Sequence, residues 1–291
     1  MTAPPDRYAV IGNPIAHSRS PQIHAAFARQ TGEAVHYQRL LAPLEGFSAS
    51  VRDFFDHGGR GLNVTVPFKQ EAWNLARDHL SPRARAAGAV NTLWRQDGQL
   101  HGCNTDGVGL LRDLQRLGAP VAGAHILLVG AGGAARGVIG PLLDGGCAGL
   151  RVVNRTASRA AELVRDLAEL DDQGRLDAGG LAAARRDGGW DLVINATASS
   201  LHDDVPELPW EGLWRPDGWA YDMMYGTQPT PFLRLAQGGG AAVADGLGML
   251  VEQAAESFRL WRGVSPATAP VLDALRRTLQ SGGGADAPLD G

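Results

Sequence analysis

The chain has 291 residues and a formal charge of −4, and 44% of its residues are hydrophobic, which is typical of a folded globular protein. No block of Lys and Arg offsets the negative charge, so the composition excludes a polyanion-binding surface and predicts no nucleic-acid partner. The longest apolar runs, such as ILLVG, are too short to cross a bilayer, so we expect no membrane partner.

The first third of the chain alternates predicted strands and helices. RYAVIGNPI predicts a strand and a turn, and the helix after it has Ser20 as its N-cap, Pro21 in its first turn and Gly32 at its end. AVHYQRLLA predicts a second strand, GFSASVRDFFDHGG a helix and GLNVTVP a third strand. This alternation predicts an α/β fold with a mostly parallel sheet.

A second series of elements follows, after a helix over residues 69–88 and a strand pair around Asp97-Gly98. It begins near Asp106 and includes the apolar strands HILLV, LRVVN, WDLVIN and GWAYDMMY. The last long helix, GMLVEQAAESFRLWRG, follows these strands, so we expect it to return and pack on the first unit. The predicted organisation is one domain of residues 1–105 and 248–280, a second domain of residues 106–247, and a disordered tail of residues 281–291.

Cysteine and histidine usage predicts the compartment and excludes a metal site. The two cysteines, Cys103 and Cys147, fit a reducing compartment better than a disulfide framework. The N-terminal sequence MTAPPDRYAV has neither the basic start nor the apolar core of a signal peptide, so we expect a cytoplasmic protein. No His or Cys residues have the spacing of a metal site, so we expect no bound metal.

A glycine-rich turn directly follows the strand HILLV and opens a helix, which is the context of a dinucleotide-binding turn. The first glycine permits the tight turn, the second permits close approach of a pyrophosphate, and a small third residue lets the helix pack on the strand. The free N–H groups at the start of such a helix favour phosphate. The residues predicted to contact the nucleotide here are Gly130, Ala131, Gly132, Gly133 and Ala134.

The end of the next strand predicts which nucleotide binds. A cofactor with a free ribose hydroxyl usually meets an Asp or Glu about 20 residues after the glycines, and no acidic residue stands there. Two arginines and two hydroxyl residues stand there instead, and a guanidinium pairs well with two oxygens of a 2′-phosphate. NADP is therefore favoured over NAD, with contacts from Asn154, Arg155, Thr156, Ser158 and Arg159.

Lys69 directly follows the segment NVTVPF, and Asp106 stands at the start of a helix where the two predicted units join. A carbonyl reduction needs a hydride donor and a group that gives a proton to the new alkoxide. Lys69 could give that proton, and a nearby carboxylate could orient the lysine. The spacing alone leaves open that Lys69 is a solvated loop residue and that Asp106 is a helix cap.

Nine motifs resemble, in the same order, those of the shikimate dehydrogenases. They are GNPIAHSRSP, NVTVPFK, GAVNT, NTDGVG, GAGGAARG, NRTASRA, INAT, YDMMY and ADGLGMLVEQAA, and the resemblance extends from about residue 8 to residue 275. It implies an N-terminal α/β substrate domain and a Rossmann-type NADP-binding domain, with a C-terminal helix that packs back on the first domain. It also implies the reversible NADPH-dependent reduction of 3-dehydroshikimate to shikimate in the aromatic amino acid (chorismate) pathway.

The resemblance assigns roles to four residues at the substrate end of the site. Lys69 corresponds to the family's acid/base, and Asp106 corresponds to the aspartate that shares this task. Ser18 and Ser20 correspond to the serines that hold the substrate carboxylate. That role agrees with their position, because the N-terminus of a helix favours an anion.

Further contacts are implied along the rest of the chain. The other residues that correspond to substrate contacts are Thr65, Asn91, Tyr225 and Gln253, with Asn63 as a weaker candidate. The residues that correspond to neighbours of the nicotinamide are Met223 and Gly246. Taken singly, these residues also fit ordinary strand, turn, core and helix-surface positions.

Two features depart from the family pattern. After INAT the chain reads ASSL, with no glycine until Gly212, where the family usually has a small-residue turn that contains glycine. Cys103 precedes NTDG, where an acidic or other polar residue is common. The first departure puts the geometry of the loop after Thr197 in doubt, and neither touches the proposed lysine or aspartate.

Three alternative functions are weighed against a shikimate dehydrogenase. The paired serines and the NRTASR motif argue against a quinate or dual-substrate paralogue that uses NAD. The presence of both Lys69 and Asp106 argues against a non-catalytic NADP sensor on the same fold. The HSRSP and NVTVPFK motifs give no support to a folate- or tRNA-pathway reductase. The sequence is compatible with a monomer or a homodimer.

Overall fold

A computed structural model describes residues 4–197, residue 199 and residues 204–289 of the chain. The chain divides into two compact units. Unit 1 contains the residues up to Gly109 and those from Val251 onward, and unit 2 contains Leu110–Leu250. In the described ranges, no helix combines the length and the apolar character that a membrane span requires.

The sheet of unit 1 is built from β1 (Asp6–Gly12), β2 (Val35–Leu41), β3 (Gly59–Val64), β4 (Thr92–Gln96) and β5 (Gln99–Cys103). Its strand order is β2-β1-β3-β4-β5. β1 is parallel to β2 and β3, whereas β4 is antiparallel to β3 and β5. The carboxyl ends of β1 and β3 therefore lie side by side, and the Thr65 N–H donates to the Ile11 carbonyl at 3.0 Å.

The helices that follow these strands in unit 1 are α1 (Ser20–Thr31), α2 (Phe47–Asp56), α3 (Lys69–Leu75) and α4 (Pro82–Ala87). Buried aromatic and aliphatic side chains of α2, including Phe47 and Val51, pack in one core cluster with Leu62 of β3. This packing holds the end of β3 in place. The segment that carries Lys69 therefore begins from a rigid strand.

Two helix boundaries differ from the sequence-based predictions. Arg19, rather than Ser20, is the N-cap of α1, because the Ser20 N–H turns toward Ser18 Oγ at 3.3 Å and Ser20 is the first helical residue. The predicted helix over residues 69–88 is divided into α3 and α4. Ser81 caps α4 by accepting from the Ala84 N–H at 3.2 Å, and a Ser-Pro start of this kind begins a new helix.

Unit 2 contains a parallel sheet of β6 (His125–Val129), β7 (Gly149–Asn154), β8 (Leu176–Gly180), β9 (Trp190–Asn195), β10 (Trp214–Asp222) and β11 (Ala242–Asp245). The strand order is β11-β10-β9-β6-β7-β8. The helices within this unit are α6 (Gly133–Asp144), α7 (Ala157–Asp166) and α8 (Pro231–Gly238). Apolar side chains fill β6 and β9 because helices cover parallel sheets on both faces, as in a doubly wound fold.

Two helices belong to both units. α5 (Asp106–Leu117) begins in unit 1 and ends in unit 2, and α9 (Leu247–Arg262) begins in unit 2 and ends in unit 1. The last helix, α10 (Ala269–Gln280), lies in unit 1. The C-terminal part of the chain thus returns to the first unit, as the sequence predicts.

The segment after α10 differs from the predicted disordered tail, because its described residues 281–289 make contacts with unit 1. Arg29 donates to the Leu289 carbonyl at 2.7 Å, and the Leu289 side chain is buried. Arg39 donates to the Ala285 carbonyl at 2.7 Å. The composition of this segment predicts disorder because its small residues have little to bury. In the structure its backbone carbonyls accept hydrogen bonds from Arg29 and Arg39, and composition alone does not reveal these contacts.

Candidate active site

Lys69 and Asp106 form an ion pair in unit 1. Lys69 is the first residue of α3 and Asp106 is the first residue of α5, and Lys69 Nζ donates to Asp106 Oδ2 at 2.6 Å. The lysine side chain is 28% exposed and the aspartate side chain 10%, so a proton donor that a small molecule can reach is held by a nearly buried carboxylate. An ammonium in this position can deliver a proton, and the carboxylate can orient it.

Asn91 forms a hydrogen bond with the Asp106 carboxylate, and Asn104 forms one with the Asp106 backbone N–H. Asn91 Nδ2 donates to Asp106 Oδ1 at 2.9 Å, which leaves Oδ2 for the lysine. The Asp106 N–H donates to Asn104 Oδ1 at 3.0 Å, and Asn91 Oδ1 accepts from the Thr105 N–H at 2.9 Å. The carboxylate is therefore fixed by side chains that are themselves buried and hydrogen-bonded.

The part of α9 that belongs to unit 1 completes this polar cluster. Gln253 Oε1 accepts from Asn91 Nδ2 and from Thr105 Oγ1, each at 3.3 Å. Ser257, one turn further on, accepts from Asn63 Nδ2 at 2.9 Å. The sequence prediction named Gln253, Asn91 and Asn63 but missed Ser257. Ser257 lies four residues after Gln253, which places both side chains on one face of α9. This spacing is the sequence signal from which Ser257 could have been predicted.

Ser18, Ser20 and Thr65 lie at the carboxyl ends of β1 and β3. Ser18 Oγ donates to Ser20 Oγ at 3.2 Å, and Ser20 opens α1, whose first N–H groups have no partner within the helix. A Cβ on Gly12 would lie 2.5 Å from Thr65 Cγ2, so glycine lets the loop after β1 approach Thr65. Carboxyl ends of parallel strands are where α/β sheets commonly bind ligands.

The glycine-rich turn of unit 2 has the geometry of a phosphate-binding turn. Gly130 has a φ of 112°, in the region that favours glycine, and a Cβ there would lie 3.1 Å from Thr197 Cγ2. Cβ atoms added to Gly132 or Gly133 would meet nothing within 4 Å among the described residues. The first turn of α6, with Ala134 just inside it, therefore presents N–H groups to open space.

A cavity of about 460 Å³ lies beside this turn, and a second, of about 510 Å³, lies next to it. Gly130, Asn154 and Arg155 line the first cavity, and Arg155 and Arg185 line the second. Arg155 and Glu207 line both cavities, so the two cavities share one basic and one acidic side chain. Arg185 follows β8 outside any recognised motif, and the sequence analysis does not single it out.

The segment predicted to hold a 2′-phosphate runs from the last residue of β7 into the first turn of α7. Asn154 ends β7 and its Nδ2 donates to the Thr156 carbonyl at 3.0 Å, and α7 begins at Ala157. The first turn of α7 contains no acidic residue, so nothing in that turn repels an anion. The exposed residues of this segment are Arg155, Thr156, Ala157, Ser158 and Arg159.

Met223, Tyr225 and Gly246 follow the ends of β10 and β11 in unit 2. A Cβ on Gly246 would lie 2.2 Å from the Met223 carbonyl oxygen, so the two strand ends touch through backbone. Asp222 is buried and accepts from the Met224 N–H at 3.0 Å, which fixes the turn that leads to Tyr225. Of the two residues late in the chain that were predicted to contact substrate, Tyr225 lies in unit 2 and Gln253 lies in unit 1.

The loop after Thr197, the departure from the family pattern, falls only partly within the described residues. Thr197 Oγ1 and Ser199 Oγ are 2.6 Å apart, whereas residues 198 and 200–203 lie outside the described residues. Across the parts of the chain that are described, no group of His, Cys, Asp and Glu could hold a metal ion. Cys103 and Cys147 are buried and not bonded to each other, and burial raises the pKa of the Cys147 thiol.

Comparison with known families matches three parts of the chain. A model described as the shikimate dehydrogenase substrate binding domain matches residues 10–93. A model described as shikimate/quinate 5-dehydrogenase matches residues 114–202. A model described as the shikimate 5′-dehydrogenase C-terminal domain matches residues 246–276.

Individual relatives match over nearly their whole length. A shikimate dehydrogenase (NADP(+)) of Bordetella petrii is 61% identical over 96% of this chain and 98% of its own. The crystal structure of an Ael1 enzyme from Pseudomonas putida has a TM-score of 0.86 and 43% identity, over 98% of this chain and all of its own. The shikimate 5-dehydrogenase of Thermus thermophilus, solved with NADP(H) and shikimate, has a TM-score of 0.82 and 36% identity, over 94% of this chain and all of its own.

Proposed function

This chain belongs to the shikimate dehydrogenase family, and we propose that it catalyses the reversible NADPH-dependent reduction of 3-dehydroshikimate to shikimate. The observation that carries the proposal is the ion pair of Lys69 Nζ and Asp106 Oδ2, at 2.6 Å, with Asn91 on the other carboxylate oxygen. These three side chains supply the proton-transfer half of a carbonyl reduction.

Lys69 is the proton donor in the direction of reduction. NADPH, when bound, supplies a hydride to the carbonyl carbon. Lys69 Nζ gives a proton to the oxygen as it becomes an alkoxide, and the amine then recovers a proton from solvent. In the direction of oxidation Lys69 accepts the hydroxyl proton. Asp106 orients Lys69 Nζ in both directions and accepts a hydrogen bond from a substrate hydroxyl.

The remaining polar groups of unit 1 bind the substrate. Ser18 and Ser20 hold its carboxylate at the start of α1, where the helix dipole also favours an anion. Its ring hydroxyls are contacted by Thr65, Asn91 and Gln253. A site that offers these hydrogen bonds rejects an analogue that lacks the matching hydroxyl, because buried polar groups would then stay unpaired.

Unit 2 binds the cofactor. Backbone N–H groups of Gly130, Ala131, Gly132, Gly133 and Ala134 would bind the pyrophosphate at the start of α6. Asn154, Thr156 and Ser158 would donate hydrogen bonds to the 2′-phosphate, and Arg155 and Arg159 would neutralise its charge. Met223 and Gly246 would contact the nicotinamide. The protein acts in the cytoplasm as a monomer or homodimer and needs no nucleic-acid or membrane partner.

The test is nicotinamide absorbance after mixing the full chain with shikimate or quinate, each with NADP⁺ or NAD⁺. Rapid reduction with shikimate and NADP⁺ alone supports the proposal, and Lys69→Ala serves as the inactive control. Comparable rates with quinate or NAD⁺ would instead support the broader quinate paralogue. No signal from folded protein that still binds NADP⁺ would contradict catalysis and favour a nucleotide sensor.

A further inference from the structure

The serine loop, residues 13–19 between β1 and α1, contains Ser18. Arg39 of β2 makes two hydrogen bonds to the backbone of this loop. Its Nε and Nη2 both donate to the Ser18 carbonyl, at 3.0 and 2.7 Å. The Arg39 side chain is only 19% exposed. Two donors from a planar guanidinium on one carbonyl fix the direction of that peptide group, whereas a single contact would leave it free to rotate.

The segment after α10 holds Arg39 from its other side. Nη2 also donates to the Ala285 carbonyl at 2.7 Å, and Nη1 donates to Asp286 Oδ1 at 2.5 Å. Arg19, the N-cap of α1, donates to the Gly283 carbonyl at 3.0 Å. Residues 283–286 therefore accept hydrogen bonds from Arg19, which directly follows Ser18, and from Arg39.

We propose that Arg39, held by residues 283–286, is a positioning residue for binding of the substrate carboxylate. The inference rests on the proposed function, in which Ser18 and Ser20 hold that carboxylate. By fixing the Ser18 carbonyl, Arg39 sets where the Ser18 hydroxyl lies relative to the Ser20 N–H. Arg39 acts through Ser18, because its hydrogen bonds go to Ser18, Ala285 and Asp286 rather than to Lys69 or Asp106. Its loss should therefore weaken substrate binding and leave the chemical step unchanged.

The main test is Arg39→Ala in the full chain, with steady-state kinetics in which the concentrations of shikimate and NADP⁺ are varied in turn. A displaced Ser18 hydroxyl would weaken its hydrogen bond to the charged carboxylate, so we expect KM for shikimate to rise about tenfold or more. kcat and KM for NADP⁺ should stay within about twofold of wild type. An equal fall in kcat, or an unchanged KM for shikimate, would overturn the proposal.

The methyl ester of shikimate separates positioning of the carboxylate from a general structural role. It removes the charge that the serine loop binds, so Arg39→Ala should raise its KM less than about twofold. If KM for the ester rises as much as KM for shikimate, Arg39 supports the fold and the proposal is wrong. Arg29→Ala is the matched control, because Arg29 contacts the same segment at Leu289, away from the serine loop, and should leave both KM values unchanged.

Asp286→Lys tests the C-terminal segment and keeps the proposal falsifiable if Arg39→Ala does not fold. Asp286 is 89% exposed, so the protein should tolerate the change. The new ammonium repels the Arg39 guanidinium, and we expect KM for shikimate to rise about threefold at low salt and recover at high salt. An unchanged KM at low salt would refute the role of the segment. Wild-type protein with no shikimate turnover would refute the proposed function instead.

Discussion

His24 lies inside an aromatic cluster of unit 1, and His24→Phe should remove part of the pH dependence of stability. The imidazole is fully buried and stacks on Tyr37 with ring centroids 4.1 Å apart. Phe27, Phe258 and Trp261 surround it at centroid distances of 5.5–6.1 Å. Within the described residues neither ring nitrogen has a hydrogen-bond partner, and burial lowers the pKa of His24 to about 3.

The size of the effect follows from proton binding in the two states. The unfolded chain binds a proton at His24 below its ordinary pKa of about 6.5, whereas the folded chain stays neutral there until about pH 3. Stability is therefore lost as the pH falls from about 6.5 toward 3, by about 1.36 kcal/mol for each pH unit. Between about pH 7.5 and pH 5 the wild type should lose about 2 kcal/mol through this residue.

Urea unfolding at a series of pH values between these limits measures the effect. Carboxylates titrate mainly at lower pH, so their contribution to the slope is small. His24→Phe keeps an aromatic ring in the stack and removes the titrating group, so its free energy of unfolding should fall about 2 kcal/mol less than that of wild type. His36→Gln, at an exposed position of β2, is the control. Equal slopes for wild type and His24→Phe would refute the reasoning.

Four further substitutions test the catalytic, cofactor and packing assignments. Lys69→Ala should lower kcat by about 10²–10⁴ while the Kd for NADPH measured by fluorescence stays near wild type, and near-normal turnover would exclude Lys69 as acid/base. Arg155→Asp should raise KM for NADP⁺ about tenfold or more with little change for NAD⁺, and an unchanged preference would contradict its phosphate contact. Gly248→Ala should cost about 1–3 kcal/mol in urea unfolding, because its Cβ would lie 2.0 Å from buried Asp113 Oδ1. Gly140→Ala, whose Cβ would have its nearest neighbour at 3.6 Å, should be neutral or stabilising, and equal costs for both would refute the packing argument.

The strongly apolar strands of unit 2 were predictable from sequence, because a parallel sheet buries both of its faces. β6 contains the apolar run ILLV and β9 the run LVI, and both are predicted as strands. β8, with the sequence LDAGG, was not predicted, because it is an edge strand with one paired neighbour and few side chains to bury. Its pairing with β7, which no local pattern encodes, is what makes it a strand.

The residues of the candidate site also divide into those that a local sequence pattern identifies and those that it does not. Lys69 and Asp106 could be named from sequence, because each sits in a motif beside a strand end or a helix start. The contacts of Arg39 with Ser18 and of Ser257 with Asn63 join residues far apart in the chain. Periodicity and turn chemistry report only on near neighbours, so contacts of this kind become visible only once the chain is folded.

The return of α9 to unit 1 has a consequence for how the protein is made. Ribosomal synthesis delivers the chain from its N-terminus, and contiguous domains fold as they emerge. Unit 2 is one continuous stretch, so it can fold while the end of the chain is still being translated. The hydrogen bonds of Asn63 with Ser257 and of Asn91 with Gln253 can form only after residues 253–257 have been synthesised. A chain released early would therefore keep a nucleotide-binding unit and lack a finished catalytic one.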